Sequence, residues 1–220
     1  CCTACAGGVT SASCLGAAFA EANGLPCTGN VTNVLYASSL DGPWDSLNAA
    51  VVPSAEMGKS WGPARMLDNP TVVFYEDGSL LMASRGGKPG DEAWSDGIVT
   101  APSWRGPYTQ HSMIGNASSP RVEDPFLWRD TKGFYHVIFH KFTDEHPNCG
   151  GHAFSRDGFH WTLSNSVAFT TTVTTADGAE HAFQRRERPH LLFDDDGRPA
   201  YLYTSLTNWT VGALGTDKAF

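Results

Sequence analysis

Three stretches of the chain share one pattern of apolar and polar positions. "DNPTVVFYEDGSLLMASRGG" (68–87), "EDPFLWRDTKGFYHVIFHKF" (123–142) and "ERPHLLFDDDGRPAYLYTSL" (187–206) each open with an acidic residue, any residue and a proline. An apolar run follows, then a turn rich in Asp and Gly, then a second apolar run. The turns are Glu76-Asp77-Gly78, Asp130-Thr131-Lys132-Gly133 and Asp194-Asp195-Asp196-Gly197. Short apolar runs joined by such turns predict β-hairpins. The prolines fall at 70, 125 and 189, so the hairpin is the unit of an internal repeat.

A second motif interleaves with the first. "ASSLDGPW" (37–44), "TAPSWRGPY" (100–108) and "AFSRDGFHW" (153–161) each carry a strand of small residues, a Gly turn and an aromatic. An inner hairpin of the first motif plus an outer hairpin of the second gives about four strands per repeat, the plan of an all-β β-propeller built from four-stranded antiparallel blades. A β-sandwich is the competing all-β architecture, but it does not predict the alternation of two motifs. Ser13–Asn23 is the one segment with a short helical pattern.

The phase of the repeat predicts the domain plan. Residues 1–30 form a cysteine-rich segment inserted in or preceding the first blade. Residues 31–220 form the propeller domain: the outer half of one blade, two full blades and the inner half of the next. Open ends would leave strand edges exposed, which is costly. The plan therefore predicts a larger polypeptide, or another chain completing the propeller or an extracellular assembly.

Composition narrows the class. The chain has 220 residues, 41% of them apolar, long enough for a substantial core. Lys and Arg number 15 against 23 Asp and Glu, a net charge of −8, which argues against nucleic acid and anionic membranes as partners. No uncharged apolar run is long enough for a membrane span. Cysteines stand at 1, 2, 5, 14, 27 and 149, and Cys1, Cys2, Cys5, Cys14, Cys27 and Cys149 predict disulfides. Zinc at Cys2-Thr-Ala-Cys5 lacks a nearby His and a second Cys-x-x-Cys. Asn30-Val-Thr, Asn116-Ala-Ser and Asn208-Trp-Thr are glycosylation sequons, and with the clustered cysteines they predict a secreted glycoprotein. The first residues show no signal-peptide pattern, which predicts a mature, processed or incomplete chain.

The repeat also locates chemistry. The innermost strand of each propeller blade lines the central channel, and its first residues meet at one mouth. Asp68, Glu123, Asp124 and Glu187 are thereby brought together. Converging carboxylates serve glycosidic hydrolysis: one protonates the leaving oxygen while a second activates water or attacks the sugar.

The order and spacing of "DNPTVV", "EDPFLW" and "ERPHLLF" resemble the five-bladed propeller glycosidases of glycoside hydrolase family 43 over roughly residues 31–206. By that resemblance Asp124 corresponds to the pKa-tuning, orienting aspartate and Glu187 to the general acid, with inversion as the stereochemical outcome. "DNPTVV" stands at a blade position that is not the base in that family, so the base is missing from this stretch. Arg188 replaces the small residue after the acid, and Arg186 precedes it. The arginines either hold Glu187 ionised or face an anionic sugar. Arg186, Arg188, His190, Trp128 and Asp68 are the expected substrate-binding residues. No cofactor is expected to be required, and a calcium ion in the channel is the optional one. The alternative class is a non-catalytic glycan-binding or structural propeller.

Plain structural uses compete for each residue. Asp124 would cap the turn into its strand, and Glu187 would pair with Arg186 or Arg121. Glu123, adjacent to Asp124, is expected on the opposite side of its strand and therefore structural. Aspartates 194–196 lack EF-hand spacing and read as a solvated turn. His140, His152 and His190 line a pocket or are packed. Trp104 and Trp161 suit packing between blades, whereas Trp94 and Trp128 are the better subsite candidates.

Overall fold

The computed structural model describes residues 34–46, 68–86, 95–115, 121–142 and 149–208. The described residues are all-β, and among them no helix is long and apolar enough to cross a membrane. Among the described residues, fourteen strands form five antiparallel sheets. β1 (Leu35–Tyr36) and β2 (Asp45–Ser46) make a short hairpin. β3 (Asp68–Phe74), β4 (Leu80–Gly86), β5 (Ser95–Ala101) and β6 (Thr109–Met113) form a four-stranded meander, as do β7 (Arg121–Arg129), β8 (Tyr135–Phe142), β9 (Cys149–Ser155) and β10 (Trp161–Leu163). β11 (Thr172–Thr174) pairs with β12 (Glu180–Ala182), and β13 (Arg185–Phe193) with β14 (Pro199–Thr207).

The inner strands lie side by side. β3 packs against β7, and β7 against β13, the relation of successive blades in a β-propeller. Alternation within the strands builds the core between them. Leu81, Ala83 and Ile98 of the first meander meet Val122, Leu127, Tyr135, Val137 and Phe139 of the second. The other face of the first meander buries Leu80, Met82, Val99 and Ala101 with Val34, Trp104 and Tyr108. Polar links join the meanders as well: the Tyr75 and Tyr135 hydroxyls lie 2.7 Å apart, and the Leu127 amide donates to Thr71 Oγ1 at 3.2 Å.

The turns follow from their residues. Asp130 Oδ1 accepts from the Lys132 and Phe134 amides at 2.9 and 2.8 Å, and Asp194 Oδ1 from those of Asp196 and Arg198 at 3.0 and 2.8 Å. Aspartates 194–196 are thus a turn closed by its own carboxylate. The outer turns place Gly42, Gly106 and Gly158 at φ of 82°, 83° and 82°, a region that side chains rarely adopt.

The hairpin β11–β12 has no counterpart in the predicted plan. Its strands are short and mostly polar and carry little apolar alternation; Asp177-Gly178 is the signal that marks it. Ser13–Asn23, residues 1–30, Trp94, Asn30 and Asn116 lie outside the described residues. Cys149 is buried at the start of β9, and the other five cysteines also lie outside. Asn208 is exposed just past β14.

Candidate functional site

Each inner strand begins with the same irregularity. Asp68 pairs with Arg85 and Thr71 with Ala83; Glu123 pairs with His140 and Phe126 with Ile138; Glu187 pairs with Ser205 and His190 with Tyr203. In every case the inner strand carries one residue more than its partner, a β-bulge. The residue before each proline takes the left-handed conformation: Asn69 at φ 51°, Asp124 at 56° and Arg188 at 54°. Asn and Asp tolerate that region, whereas an arginine is strained there by about 1 kcal/mol.

The bulges stack two tiers of side chains at the start of the inner strands. In one tier, Asn69 Nδ2 donates to Asp124 Oδ1, and Arg188 Nη1 stands 3.7 Å from that same oxygen. In the other, Arg85 Nη1 lies 2.9 Å from Glu123 Oε2. His140 Nδ1 lies 3.5 Å from Glu123 Oε1 and 3.6 Å from Glu187 Oε2. Arg185 pairs tightly with Glu187 and reaches Glu123 at 3.8 Å. Arg85 and His140 occupy the same place on the second strands of their sheets, each opposite its bulge. Each reaches the first-strand carboxylate of the next sheet.

Burial and neighbours split the carboxylates. Burial pushes Glu123 up, but the His140 hydrogen bond and the charges of Arg85, His140 and Arg185 outweigh it and hold the group below its usual range. Asp124 is raised, by burial first and by Glu123 and Glu187, against the opposing Arg188 and His140 charges. Beneath them lies Asp96, fully buried opposite Arg85 across β4 and β5, with no hydrogen-bond partner for either oxygen among the described residues. Burial raises it well above the usual carboxylate value, aided by Asp124 and Glu123.

The sequence-predicted residues divide. Asp124 and Glu187 come together, and Glu123 joins them. The expectation that Glu123 points away is corrected: the bulge at Asp124 breaks the two-residue alternation. Arg188 faces Asp124. Arg186 does not reach the cluster. Arg185 and Glu187, two apart, share one side of β13, and Arg186 falls on the other. There Arg186 Nε donates to Thr204 Oγ1 at 2.9 Å and Nη1 to the Thr170 carbonyl at 3.2 Å, over the Phe169 ring. So Glu187 pairs with Arg185 and not with Arg186, and the Arg121 side chain lies outside what the structure describes.

Trp128 sits at the far end of β7, stacked on His136 with ring centroids 5.0 Å apart. His190 packs edge-on to Phe126 at 4.6 Å. Phe126, Trp128 and Phe193 line an open cleft of about 910 Å³ with Val72 and Tyr75. Trp104 stacks near Tyr36 under Arg105, and Trp161 Nε1 donates to the Gly158 carbonyl, both packing roles. Of Asp68, only its strand position opposite Arg85 is described. Asn69, Arg85, Asp96 and Arg185 had no assigned role in the sequence reading, and His140 stood there only as pocket-lining or packed. Superposing the three repeats from their turns marks Asn69 and Arg85, because they fall level with Asp124 and His140.

Glu123, Asp124, His140 and Glu187 each bring a ligand atom within 4.8 Å of the others. As they stand, the four do not fit a calcium ion. Glu123 and Glu187 already face guanidinium groups, and a hard dication prefers a shell of oxygens to imidazole.

No family model matches the sequence, and no curated protein matches it. Among solved structures, an exo-β-1,3-galactanase from Phanerochaete chrysosporium, crystallised with galactose, aligns at 12% identity over 68% of this chain with a TM-score of 0.47. An endo-1,5-α-L-arabinanase from Thermotoga petrophila aligns at 16% identity over 78% with a TM-score of 0.48. An endo-arabinase from Bacteroides thetaiotaomicron aligns at 13% identity over 83% of this chain and 87% of its own, with a TM-score of 0.34. The chain spans 34% of the galactanase and 44% of the Thermotoga arabinanase. It is similar to these proteins in strand arrangement.

Proposed function

We propose that the chain is part of a five-bladed, extracellular propeller glycoside hydrolase of the family 43 type, acting on a polysaccharide or oligosaccharide. The observation that carries this is the convergence of Glu123, Asp124 and Glu187, delivered by equivalent bulges on neighbouring inner strands, into one cluster. Glu187 is the general acid, and Asp124 orients and tunes it. Their nearest ligand atoms lie within 4.8 Å. That is closer than the roughly 6.5–9.5 Å that leaves room for water between acid and base in an inverting enzyme. The spacing does not suit them as an acid–base pair of an inverting enzyme; by the family resemblance they take the roles of acid and orienter, and the base falls to a carboxylate outside this cluster. The sequons and clustered cysteines support an extracellular glycoprotein.

A second reading has its own support. Glu123 and Glu187 are both paired with cations, which suits them to accept hydrogen bonds from sugar hydroxyls. The experiment measures reducing-end release from arabinan, galactan and xylan by wild type and Glu187→Gln, with calorimetric binding of the same glycans. Hydrolysis by wild type that falls at least about 10²-fold in Glu187→Gln, with binding retained, is the expected result. Binding without hydrolysis in both proteins selects the non-catalytic reading. Full activity in Glu187→Gln overturns the assignment.

A further inference from the structure

Among the described residues the mouth tier holds one cation, Arg188, whose one charged contact is a loose pair with Asp124 and whose guanidinium is otherwise open to solvent. Its repeat equivalents are spoken for: Asn69 donates to Asp124, and Asp124 accepts. Arg188 stands at 3.7 Å from Asp124, beyond hydrogen-bond reach, with its side chain 63% exposed. Arg85 and Arg185 are engaged by Glu123 and Glu187. The backbone gives no reason for an arginine here, since φ of 54° favours glycine and strains a long side chain. The chain as a whole carries a charge of −8 and repels anions, so any attraction for an anionic ligand has to be local.

We propose that Arg188 makes this mouth a binding site for an acidic sugar, its guanidinium pairing with a carboxylate or sulfate on a unit seated over Asp124 and Glu187. The proposal rests on the carbohydrate reading given above and names its substrate class. A planar guanidinium with several free N–H donors matches a carboxylate or sulfate through two parallel hydrogen bonds, which a neutral hydroxyl does not offer. A neutral sugar would leave the exposed donors of that guanidinium to water. An acidic one would pair with it through the exposed face of the guanidinium.

The test compares affinities for trigalacturonate, 6-O-sulfated galactotriose and neutral galactotriose, using wild type and Arg188→Gly. Glycine suits the local φ, so this variant should fold; far-ultraviolet circular dichroism checks that it does. Wild type is expected to prefer at least one charged trisaccharide by about tenfold or more. The preference should weaken with added NaCl and vanish in Arg188→Gly. Which charged sugar is preferred identifies the anionic group. Equal affinity for charged and neutral sugars in wild type, a preference that survives Arg188→Gly, or no binding of any of the three overturns the proposal. Hydrolysis of neutral and charged glycans at equal rates keeps the glycosidase and removes the acidic-sugar assignment. A charge preference that depends on Arg188, without hydrolysis, keeps the assignment and removes the glycosidase.

Discussion

Asp96 is the residue at which burial and charge conflict most. A carboxylate buried opposite Arg85, with no hydrogen-bond partner among the described residues, is raised well above its usual range by burial first and by the charges of Asp124 and Glu123. The sign of the consequence is fixed. Its folded pKa lies above the unfolded value of about 3.9, so its carboxyl weakens the fold as pH rises from that value towards the folded one. Asp96→Asn removes the titration and keeps the shape. Its stability relative to wild type should therefore grow between pH 4 and neutrality, read as urea midpoints across that range; a difference constant from pH 3 to 8 would contradict this. Asp124, raised in the same direction, adds to the same slope in wild type. Asp96 was invisible in the sequence because it belongs to a third strand, outside both motifs. Only the register Arg85–Asp96 brings it beneath the site.

At the scale of elements, the hairpins were legible and the bulges were not. Asp/Gly turns between apolar runs mark β3–β4, β7–β8 and β13–β14 directly. The acid-x-proline signature marks where each inner strand starts. What it does not reveal is the extra residue, and that residue decides which side chains face the cluster. The strict alternation that sent Glu123 away failed there. The expectation that Arg186 flanks Glu187 failed through the alternation itself, because Arg185 shares the side of Glu187. Close strand packing can be tested at Gly151, where a Cβ would come within 2.2 Å of the Phe139 ring. Gly151→Ala should cost about 1–3 kcal/mol in chemical denaturation. Leu81→Ala, which opens the core between the meanders, should cost about 2–5 kcal/mol. Unchanged midpoints would mean that these sheets do not pack as described.

At the scale of the molecule, repetition turns a modest sequence motif into a site. Second strands supply Arg85 and His140, first strands supply Glu123 and Glu187, and each second-strand side chain reaches the carboxylate of the next sheet. The cluster is thus already compensated without a metal ion. Chelation with EDTA should leave the thermal midpoint unchanged to within about 1 °C, because Arg85 and Arg185 already pair these carboxylates; a large drop would place a structural cation among them. The convergence itself is the central claim, and a double-mutant cycle tests it without any substrate. Urea unfolding at pH 7 of Glu123→Gln, Glu187→Gln and the double variant gives the coupling between carboxylates from two different sheets. Sharing His140 and Arg185 predicts a non-additivity of about 0.5–3 kcal/mol. Additivity to within about 0.3 kcal/mol would show that the two groups do not meet, and the proposed site would go with it.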